Sequence, residues 1–258
     1  MTKRFWLTTA RLASLGLLLA AIPSPATAQI VQVTRSDARH SVGFNLGYFW
    51  VKGEDGRPND CFTSNDDCDT LVANLSSADP LAFDIKDFNS VTFGGEWLYA
   101  VSDYLEVGAG LSYYKGTVPS VYRDLVNTNG AEIAQDLKLR MVPFTGTVRF
   151  LPLGRAAAVE PYIGGGIGFI NWRYSETGEF VDSSDGSIFR ETYEADGTAV
   201  GPVIVGGLRF PAGEAFTVGV EYKWQKAEGD TKPAESQLLG NKIDLGGNSL
   251  NFTFHFRF

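Results

Sequence analysis

Six charged side chains stand out in this sequence because they share one position within a repeating pattern. Each lies in a stretch where bulky apolar residues occupy every second position, and each falls on the intervening positions. The six are Glu96, Glu106, Arg149, Arg209, Glu221 and Arg257. Successive side chains of a strand point to opposite faces, so the six charges are predicted to share one interior face. Three acids and three bases at one level predict a salt-bridge network, because buried charges are tolerated only when they are paired.

This predicted charge network has two alternative roles. The sequence favours a structural role, in which the salt bridges fix the register of neighbouring strands and block flow along the interior. The alternative is a gate, which opens when the charged pairs exchange partners. The conductance of Glu106→Ala and Arg209→Ala variants distinguishes the two, because no change in either variant would exclude the gate.

The two cysteines, Cys61 and Cys68, lie close together in the segment NDCFTSNDDCD. An exported chain meets an oxidising compartment, so the pair predicts a disulfide that closes a short loop, with two free thiols as the alternative. Four acids crowd the same segment: Asp60, Asp66, Asp67 and Asp69. Such dense carboxylates suit a hard cation such as Ca²⁺, but their spacing matches no EF-hand loop. The sequence therefore favours a solvated acidic loop and predicts no metal site.

The only two histidines, His40 and His255, give no recognisable catalytic pattern. A hydrolase that uses a His-x-Ser pair with a carboxylate needs a serine two positions after the histidine. Here His40 is followed by Ser-Val and His255 by Phe-Arg. A Ser/His/acid site assembled across strands stays open as an alternative, but it has no positive support. We therefore predict no catalytic residues, no enzyme activity and no cofactor, and we expect His255 to fill the interior.

The elements that must position these side chains are eight stretches with the strict alternation of a strand that has one apolar and one polar face. They cover residues 42–50, 91–99, 105–113, 142–150, 162–169, 204–210, 216–224 and 250–258. The fifth stretch is the least regular. Trp172 and Tyr174 follow it on the wrong parity for its apolar face, which predicts a bulge or an early end.

The connections between these stretches are also of two kinds. Three are short, at residues 100–104, 151–157 and 211–215, and four are long and polar, at residues 52–87, 115–136, 173–198 and 226–244. Short turns at one end and long loops at the other are typical of outer-membrane barrels. The sequence therefore predicts an all-β fold, a single eight-stranded antiparallel transmembrane β-barrel with short periplasmic turns and long extracellular loops.

Two independent patterns agree with a membrane barrel. After residue 28 no run of about 18 apolar residues exists, and a chain that enters a membrane without such a helix must form a closed barrel. The aromatic residues also fall into two girdles, where amphipathic rings prefer the membrane interface. The outer girdle contains Tyr48, Trp50, Tyr113, Tyr222 and Trp224, and the inner girdle contains Trp97, Tyr99, Phe150, Phe210, Phe256 and Phe258.

The N-terminus has the features of an export signal. Three basic residues precede the apolar stretch 12–22, and Ala-Thr-Ala ends at residue 28 as a small-x-small cleavage site. We predict a cleaved signal peptide over 1–28, a periplasmic stretch over 29–39 and the barrel over 40–258. The chain is acidic, with a formal net charge of -8 and a pI of about 4.8, which argues against a nucleic-acid partner.

The sequence resembles the small eight-stranded outer-membrane β-barrel proteins of Gram-negative bacteria, of the OmpA, OmpX and OmpW type. The segment MVPFTGTVRFLPLGRAAAVEPYIGGGIGFINW, residues 141–172, is most similar to the OmpW-like pattern, in which a Pro-Tyr-x-Gly-x-Gly strand follows a Pro-containing strand. Phe258 resembles the terminal aromatic signal that barrel-assembly machinery reads. The resemblance implies an integral protein of the bacterial outer membrane, with outer-membrane lipid and the assembly machinery as partners.

Fold alone does not decide the function of such a barrel. The leading hypothesis is a non-enzymatic outer-membrane protein whose acidic loops act in envelope integrity or in contact with an extracellular partner. The second is a narrow OmpW-like, porin-like channel for a small hydrophobic ligand, whose lining would include Phe49, Tyr114 and Val203. The third is a lipid-modifying barrel enzyme, which is disfavoured because it would need serine, histidine and acid together near the outer rim.

Overall fold

The computed structural model describes residues 38–53, 68–182 and 184–258. The predicted signal peptide over 1–28, most of the predicted stretch over 29–39, and Cys61 lie outside these residues. The signal peptide, the cleavage site and the disulfide therefore stay predictions.

Ten strands, two short helices and one 3-10 helix make up the described chain. The strands are β1 His40–Val51, β2 Ser90–Ala100, β3 Leu105–Val126, β4 Glu132–Phe150, β5 Glu160–Val181, β6 Ile188–Pro211, β7 Phe216–Gln225, β8 Glu228–Asp230, β9 Lys242–Asp244 and β10 Gly247–Arg257. The helices are α1 Thr70–Ser76 and α2 Pro233–Ser236, and the 3-10 helix is Ile85–Phe88. In the part of the chain that the structure describes, no helix is long and apolar enough to cross a membrane.

Eight of the strands close into one antiparallel barrel, in the order β1, β10, β7, β6, β5, β4, β3, β2, while β8 and β9 form a separate hairpin. The barrel closes through β1 and β10, where Phe44 pairs with Phe254 and Ser41 with Arg257. A closed barrel leaves no strand edge unpaired, which a sheet surrounded by lipid requires. The predicted eight-stranded antiparallel barrel is confirmed.

The alternation of β10 shows which face is outward. Phe252 and Phe254 are 68% and 45% exposed, whereas Thr253 and His255 between them are 4% and 0% exposed. The bulky apolar row therefore faces away from the barrel, and the polar row faces the lumen. This is the distribution expected of a barrel in lipid.

The barrel has two different ends, which we call the turn end and the loop end. The turn end carries the short connections 101–104, 151–159 and 212–215 together with both ends of the described chain. Aromatic rings gather at its rim, where the His40 ring stacks on Trp97 and on Phe258 at 5.8 Å in each case. The loop end carries α1, the 3-10 helix, the β8–β9 hairpin and α2.

The prediction of a bulge or early end in the fifth stretch was wrong. β5 pairs with β6 from Glu160 to Val181 without a register shift. Trp172 and Tyr174 have the same inward parity as Tyr162, and they are 1% and 0% exposed. They fill the lumen because the apolar face of the strand changes from outward to inward where the strand leaves the lipid.

Two of the predicted long loops, 115–136 and 173–198, are also mostly strand. Only residues 127–131 and 182–187 lie between the strands of these two hairpins. The outward face of β5 stays apolar as far as Phe169 and continues with Asn171 and Arg173, so the lipid band ends there. Strands β3 to β6 therefore continue beyond the membrane as extended hairpins.

Candidate functional site

The charged residues predicted to face the lumen lie there, in the half of the barrel nearer the turn end. Arg149 is the centre of the first group and is 2% exposed. Its guanidinium donates from Nη1 and Nη2 to the two oxygens of Glu96, at 3.2 and 2.5 Å. Its Nη2 also lies 2.9 Å from Glu221 Oε2. One guanidinium on β4 thus links carboxylates on β2 and β7 across the lumen.

Arg209 is the centre of the second group and has no exposed surface. Its Nη2 lies 2.6 Å from Glu106 Oε2, and its Nε lies 3.7 Å from Glu160 Oε2. The Glu160 carboxylate also accepts from Arg257 Nη2 at 2.5 Å. Arg155 lies in the turn between β4 and β5, and its Nε is 3.3 Å from Glu106 Oε1. The second group thus joins strands β3, β5, β6 and β10.

Tyr162 stands between the two groups and connects them. The guanidinium carbons of Arg149 and Arg209 lie 5.0 and 4.9 Å from the centre of its ring. Its hydroxyl donates to Glu221 Oε2 at 2.9 Å. Cations above an aromatic ring face are attracted by its quadrupole, so the ring contributes to both groups.

His255 adds a further contact to the first group, and glycines make room for these large side chains. The His255 Nε2 lies 2.7 Å from Glu96 Oε1. A side chain at Gly43 would overlap the His255 ring, and one at Gly164 would press on the stem of Arg149. The small residues on the lumen face of the strands therefore provide the space that the charged residues fill.

The structure brings together all six residues of the predicted charge network and adds members that the sequence reasoning missed. The added members are Glu160, Arg155, Tyr162 and His255. Glu160 shares the inward parity of Tyr162 and was detectable from the alternation. Arg155 lies in a turn, where no period indicates the direction of a side chain.

A polar cavity of about 40 Å³ lies above the charge network in the middle of the barrel. It is bordered by Glu96 and Arg149 on one side and by Phe49 and Tyr114 on the other. A water needs roughly 10–15 Å³ of such volume, so the cavity is large enough for a few waters and too small for a larger solute.

Apolar side chains fill the loop-end half of the lumen. Phe49 and Tyr114 are 5% and 2% exposed and pack edge to face at 5.0 Å. They belong to one cluster of buried residues with Val51, Leu71, Leu81, Phe83, Phe88, Val118, Leu137, Leu139, Met141, Ile170, Trp172, Tyr174, Ala195, Ala199, Ala227, Leu238, Ile243 and Leu245. The sequence predicted only Phe49, Tyr114 and Val203 here. Val203 is 2% exposed in a separate small cluster nearer the turn end.

The loop-end plug, which we define as residues 68–88 and 226–246, contributes a large part of this cluster. Its two segments are joined by backbone hydrogen bonds, including Asn241 N to Cys68 O at 3.0 Å. The Thr70 hydroxyl donates to the Lys242 carbonyl at 2.9 Å. The Tyr114 hydroxyl donates to the Phe88 carbonyl, which ties the plug to the barrel wall. The plug is therefore a folded unit seated in the mouth of the barrel.

Asp69 holds the two segments of the plug together. Its Oδ1 accepts from the backbone N–H groups of Leu71 and Val72 at 2.9 and 3.2 Å and so caps α1. Its Oδ2 accepts from the Asp244 N–H at 2.7 Å. Asp69 is 6% exposed, so the prediction of a solvated acidic side chain was wrong at this position. The other acids of that cluster lie outside the described residues, within which no group of residues is arranged to hold a metal ion.

The stability of the plug is expected to depend on the protonation of Asp69. Burial raises the pKa of Asp69 from 3.8 to about 6, against the opposing effect of the Asp244, Val72 and Leu71 N–H groups. Because the pKa of Asp69 is higher in the folded state, its protonated form stabilises the plug. This contribution is complete below about pH 4 and is lost as the pH rises through about 6. We expect the protection of the α1 amides, measured by hydrogen exchange, to fall by about 2–3 kcal/mol between pH 4 and pH 8. An Asp69→Asn variant should show a clearly smaller slope, and an equal slope in both proteins would contradict this assignment.

Comparison with known proteins identifies the family. No match was found among curated protein sequences. The structure is similar to that of OprG from Pseudomonas aeruginosa, with 14% identity over 86% of this chain and 96% of that chain and a TM-score of 0.45. It is similar to the Escherichia coli outer membrane protein W, with 14% identity over 86% of this chain and 100% of that chain and a TM-score of 0.40.

A third similar structure is Ail of Yersinia pestis in complex with the heparin analogue sucrose octasulfate. It has 14% identity over 85% of this chain and 99% of that chain and a TM-score of 0.37. The family model of the outer membrane protein beta-barrel domain matches residues 14–258. The chain therefore belongs to the outer membrane protein beta-barrel domain family.

Proposed function

We propose that this integral outer-membrane protein is a non-enzymatic closed barrel that acts in envelope integrity or surface interaction through its loop end. The observation that carries the proposal is that the lumen is filled at two levels. The charge network fills the half nearer the turn end, and the loop-end plug fills the other half. A barrel of eight strands has room inside for little more than side chains, and here charged side chains pair across one half of the lumen while apolar side chains pack in the other.

We infer that the turn end faces the periplasm and the loop end the exterior, because outer-membrane barrels have short periplasmic turns and longer extracellular loops. The extended hairpins of β3 to β6 and the plug then form the surface that an extracellular partner would meet. We also propose that Phe258 is the residue that barrel-assembly machinery reads. Its side chain is 56% exposed at the turn end, and its backbone N–H donates to the His40 carbonyl at 2.9 Å.

Conductance of the purified, refolded protein in planar bilayers tests the closed barrel. We expect the wild-type barrel to give no discrete channels, because both levels of the lumen are filled. We expect Glu106→Ala and Arg209→Ala to stay silent as well, because the plug closes the lumen independently of the charge network. Discrete channels in the wild type, or channels that appear in either single variant, would contradict the closed barrel and support a gate.

A narrow route for small apolar molecules is the second candidate, and the apolar loop-end half of the lumen is the observation that favours it. Such a route would need the plug to move, because its own side chains occupy the space. Conductance events that a small apolar solute blocks would support this route. Silence with and without the solute would support the closed barrel.

A lipid-modifying enzyme is the least supported candidate. Such a site would need a histidine near the outer rim, but both histidines of the chain lie toward the turn end. His40 stacks on Trp97 at the rim of that end, and His255 is fully buried beside Glu96.

A further inference from the structure

A second cavity, of about 380 Å³, lies at the loop end, between the loop-end plug and the extended hairpins. It is bounded by the C-terminal side of α1 and by the tips of the extended hairpins, and it includes Asp79, Gln135, Glu176 and Phe180. None of the described residues that line it is lysine, arginine or histidine. It offers carboxylate and amide oxygens without any cationic side chain, so it is suited to a positively charged ligand.

Glu176 forms the buried acidic end of this cavity. It is 5% exposed and forms no salt bridge with any residue in the described ranges. Its Oε1 accepts from Asn74 Nδ2 at 2.5 Å and from the Tyr174 hydroxyl at 2.9 Å. These two donors fix the carboxylate and leave Oε2 without a hydrogen bond from the described chain. A buried carboxylate normally requires a cationic partner, which the protein itself does not supply here.

Gln135 lines the same cavity and holds an unpaired acceptor in its wall. It is 4% exposed, and its Nε2 donates to the Glu179 carbonyl at 3.1 Å, which fixes the orientation of the amide. Its Oε1 has no hydrogen-bond partner among the described residues. An unsatisfied buried acceptor is costly, so a ligand that brings N–H donors would remove this cost.

Aromatic rings form the opposite side of the cavity. Phe180 and Tyr193 pack edge to face, with ring centres 4.7 Å apart and an angle of 73° between their planes. Phe189 stacks beside Phe180 at 6.0 Å and is 37% exposed. Rings at such angles offer π faces to a cation and an apolar surface to the carbon chain that carries it.

We propose that this cavity binds a primary ammonium group carried on a small apolar body. The ammonium donates its three N–H groups to acceptors that include Glu176 and Gln135, and the body packs against Phe180 and Tyr193. An anion is excluded by the two acidic side chains in the wall, and a neutral sugar would bring no cation to the buried Glu176 carboxyl group. This inference goes beyond the proposed function and does not depend on whether the lumen conducts.

Calorimetric titration of the refolded barrel in a nonionic detergent tests the proposal, with n-butylamine as the probe and 1-butanol as its neutral counterpart. We expect heat of binding for n-butylamine and none for 1-butanol above the detergent blank. Glu176→Gln, which keeps the size of the side chain, should weaken binding of the amine about tenfold or more. Tyr193→Leu should weaken it about threefold to tenfold, because it removes the ring face.

Glu194→Gln is the matched control, because Glu194 is a half-exposed acid on the same strand as Tyr193 and does not line the cavity. It should bind n-butylamine like the wild type. If Glu176→Gln does not refold, Gln135→Leu and Tyr193→Leu decide the question. Equal binding of the amine and the alcohol, preferred binding of methyl glucoside, or unchanged affinity in the cavity variants would each overturn the proposal.

Discussion

Replacing Arg209 with alanine is expected to lower the free energy of unfolding of the barrel by about 3–5 kcal/mol. Arg209 is fully buried and lies within salt-bridge distance of Glu106 and Glu160. Without this guanidinium, the carboxylates of Glu106 and Glu160 would still be buried away from water, but each would lose one of its main cationic partners. The loss of one partner of a buried ion pair costs more than the net contribution of the intact pair.

The measurement is urea unfolding of the refolded protein in lipid vesicles, and Arg173→Ala is the control. Arg173 lies 3.8 Å from Glu194, and both side chains are about half exposed, so the loss of this pair should cost less than about 1 kcal/mol. Equal costs for the two arginines would show that the lumen network does not stabilise the barrel.

A neutral triple variant separates charge from packing. Arg209→Met combined with Glu106→Gln and Glu160→Gln removes the charges together while keeping most of the volume. We expect it to recover much of the loss seen in Arg209→Ala, because no uncompensated charge stays buried. A triple variant as unstable as the single one would show that packing of the arginine, rather than its charge, determines the stability.

The barrel itself was predictable from the sequence because one physical constraint controls it. In a membrane barrel, one face of each strand contacts hydrocarbon and the other faces the lumen. Apolar and polar residues therefore alternate strictly along the strand. The Phe252 and Phe254 row, the closed pairing of β1 with β10 and the inward charges all follow from that alternation. Even the missed Glu160 obeys it, because it lies two positions before Tyr162, where the predicted fifth stretch begins, and shares its inward parity.

The sequence reasoning failed where the strands leave the membrane, and the reason is the same constraint. Beyond the lipid, the outward face meets water and becomes polar, while the inward face packs on the plug and becomes apolar. Trp172 and Tyr174 therefore look out of phase although the pairing of β5 never shifts. When the apolar face of a barrel strand changes sides, the change can be produced by the membrane boundary and does not require a bulge.

The loop-end plug had no comparable signal. Its buried residues, such as Leu71, Phe83 and Phe88, are spread over short pieces with neither the strand nor the helix period. Their burial results from contacts between segments that are far apart in the chain, such as Asp69 with Asp244. The same long-range packing creates the cavity around Glu176, so no pattern in the sequence indicates it either.

Replacing Trp172 with alanine should be the most damaging change in the plug half of the lumen, with a cost of about 3–5 kcal/mol. The indole is 1% exposed, and a methyl group at Gly229 would overlap it, so the β8–β9 hairpin packs directly on this ring. Removing it leaves a cavity that the rigid barrel wall cannot collapse to fill. We expect faster proteolysis within the plug as well as a lower free energy of unfolding.

Trp50→Ala is the matched control, because Trp50 is 39% exposed at the outer girdle and packs edge to face on Tyr48. Lipid can occupy the space left there, so its cost should be smaller than that of Trp172→Ala by about 2 kcal/mol or more. If the two variants lost equal stability and kept equal protease resistance in the plug, the plug would not be seated on Trp172. The lumen would then be closed only by its charge network, and a single variant such as Arg209→Ala would suffice to open it.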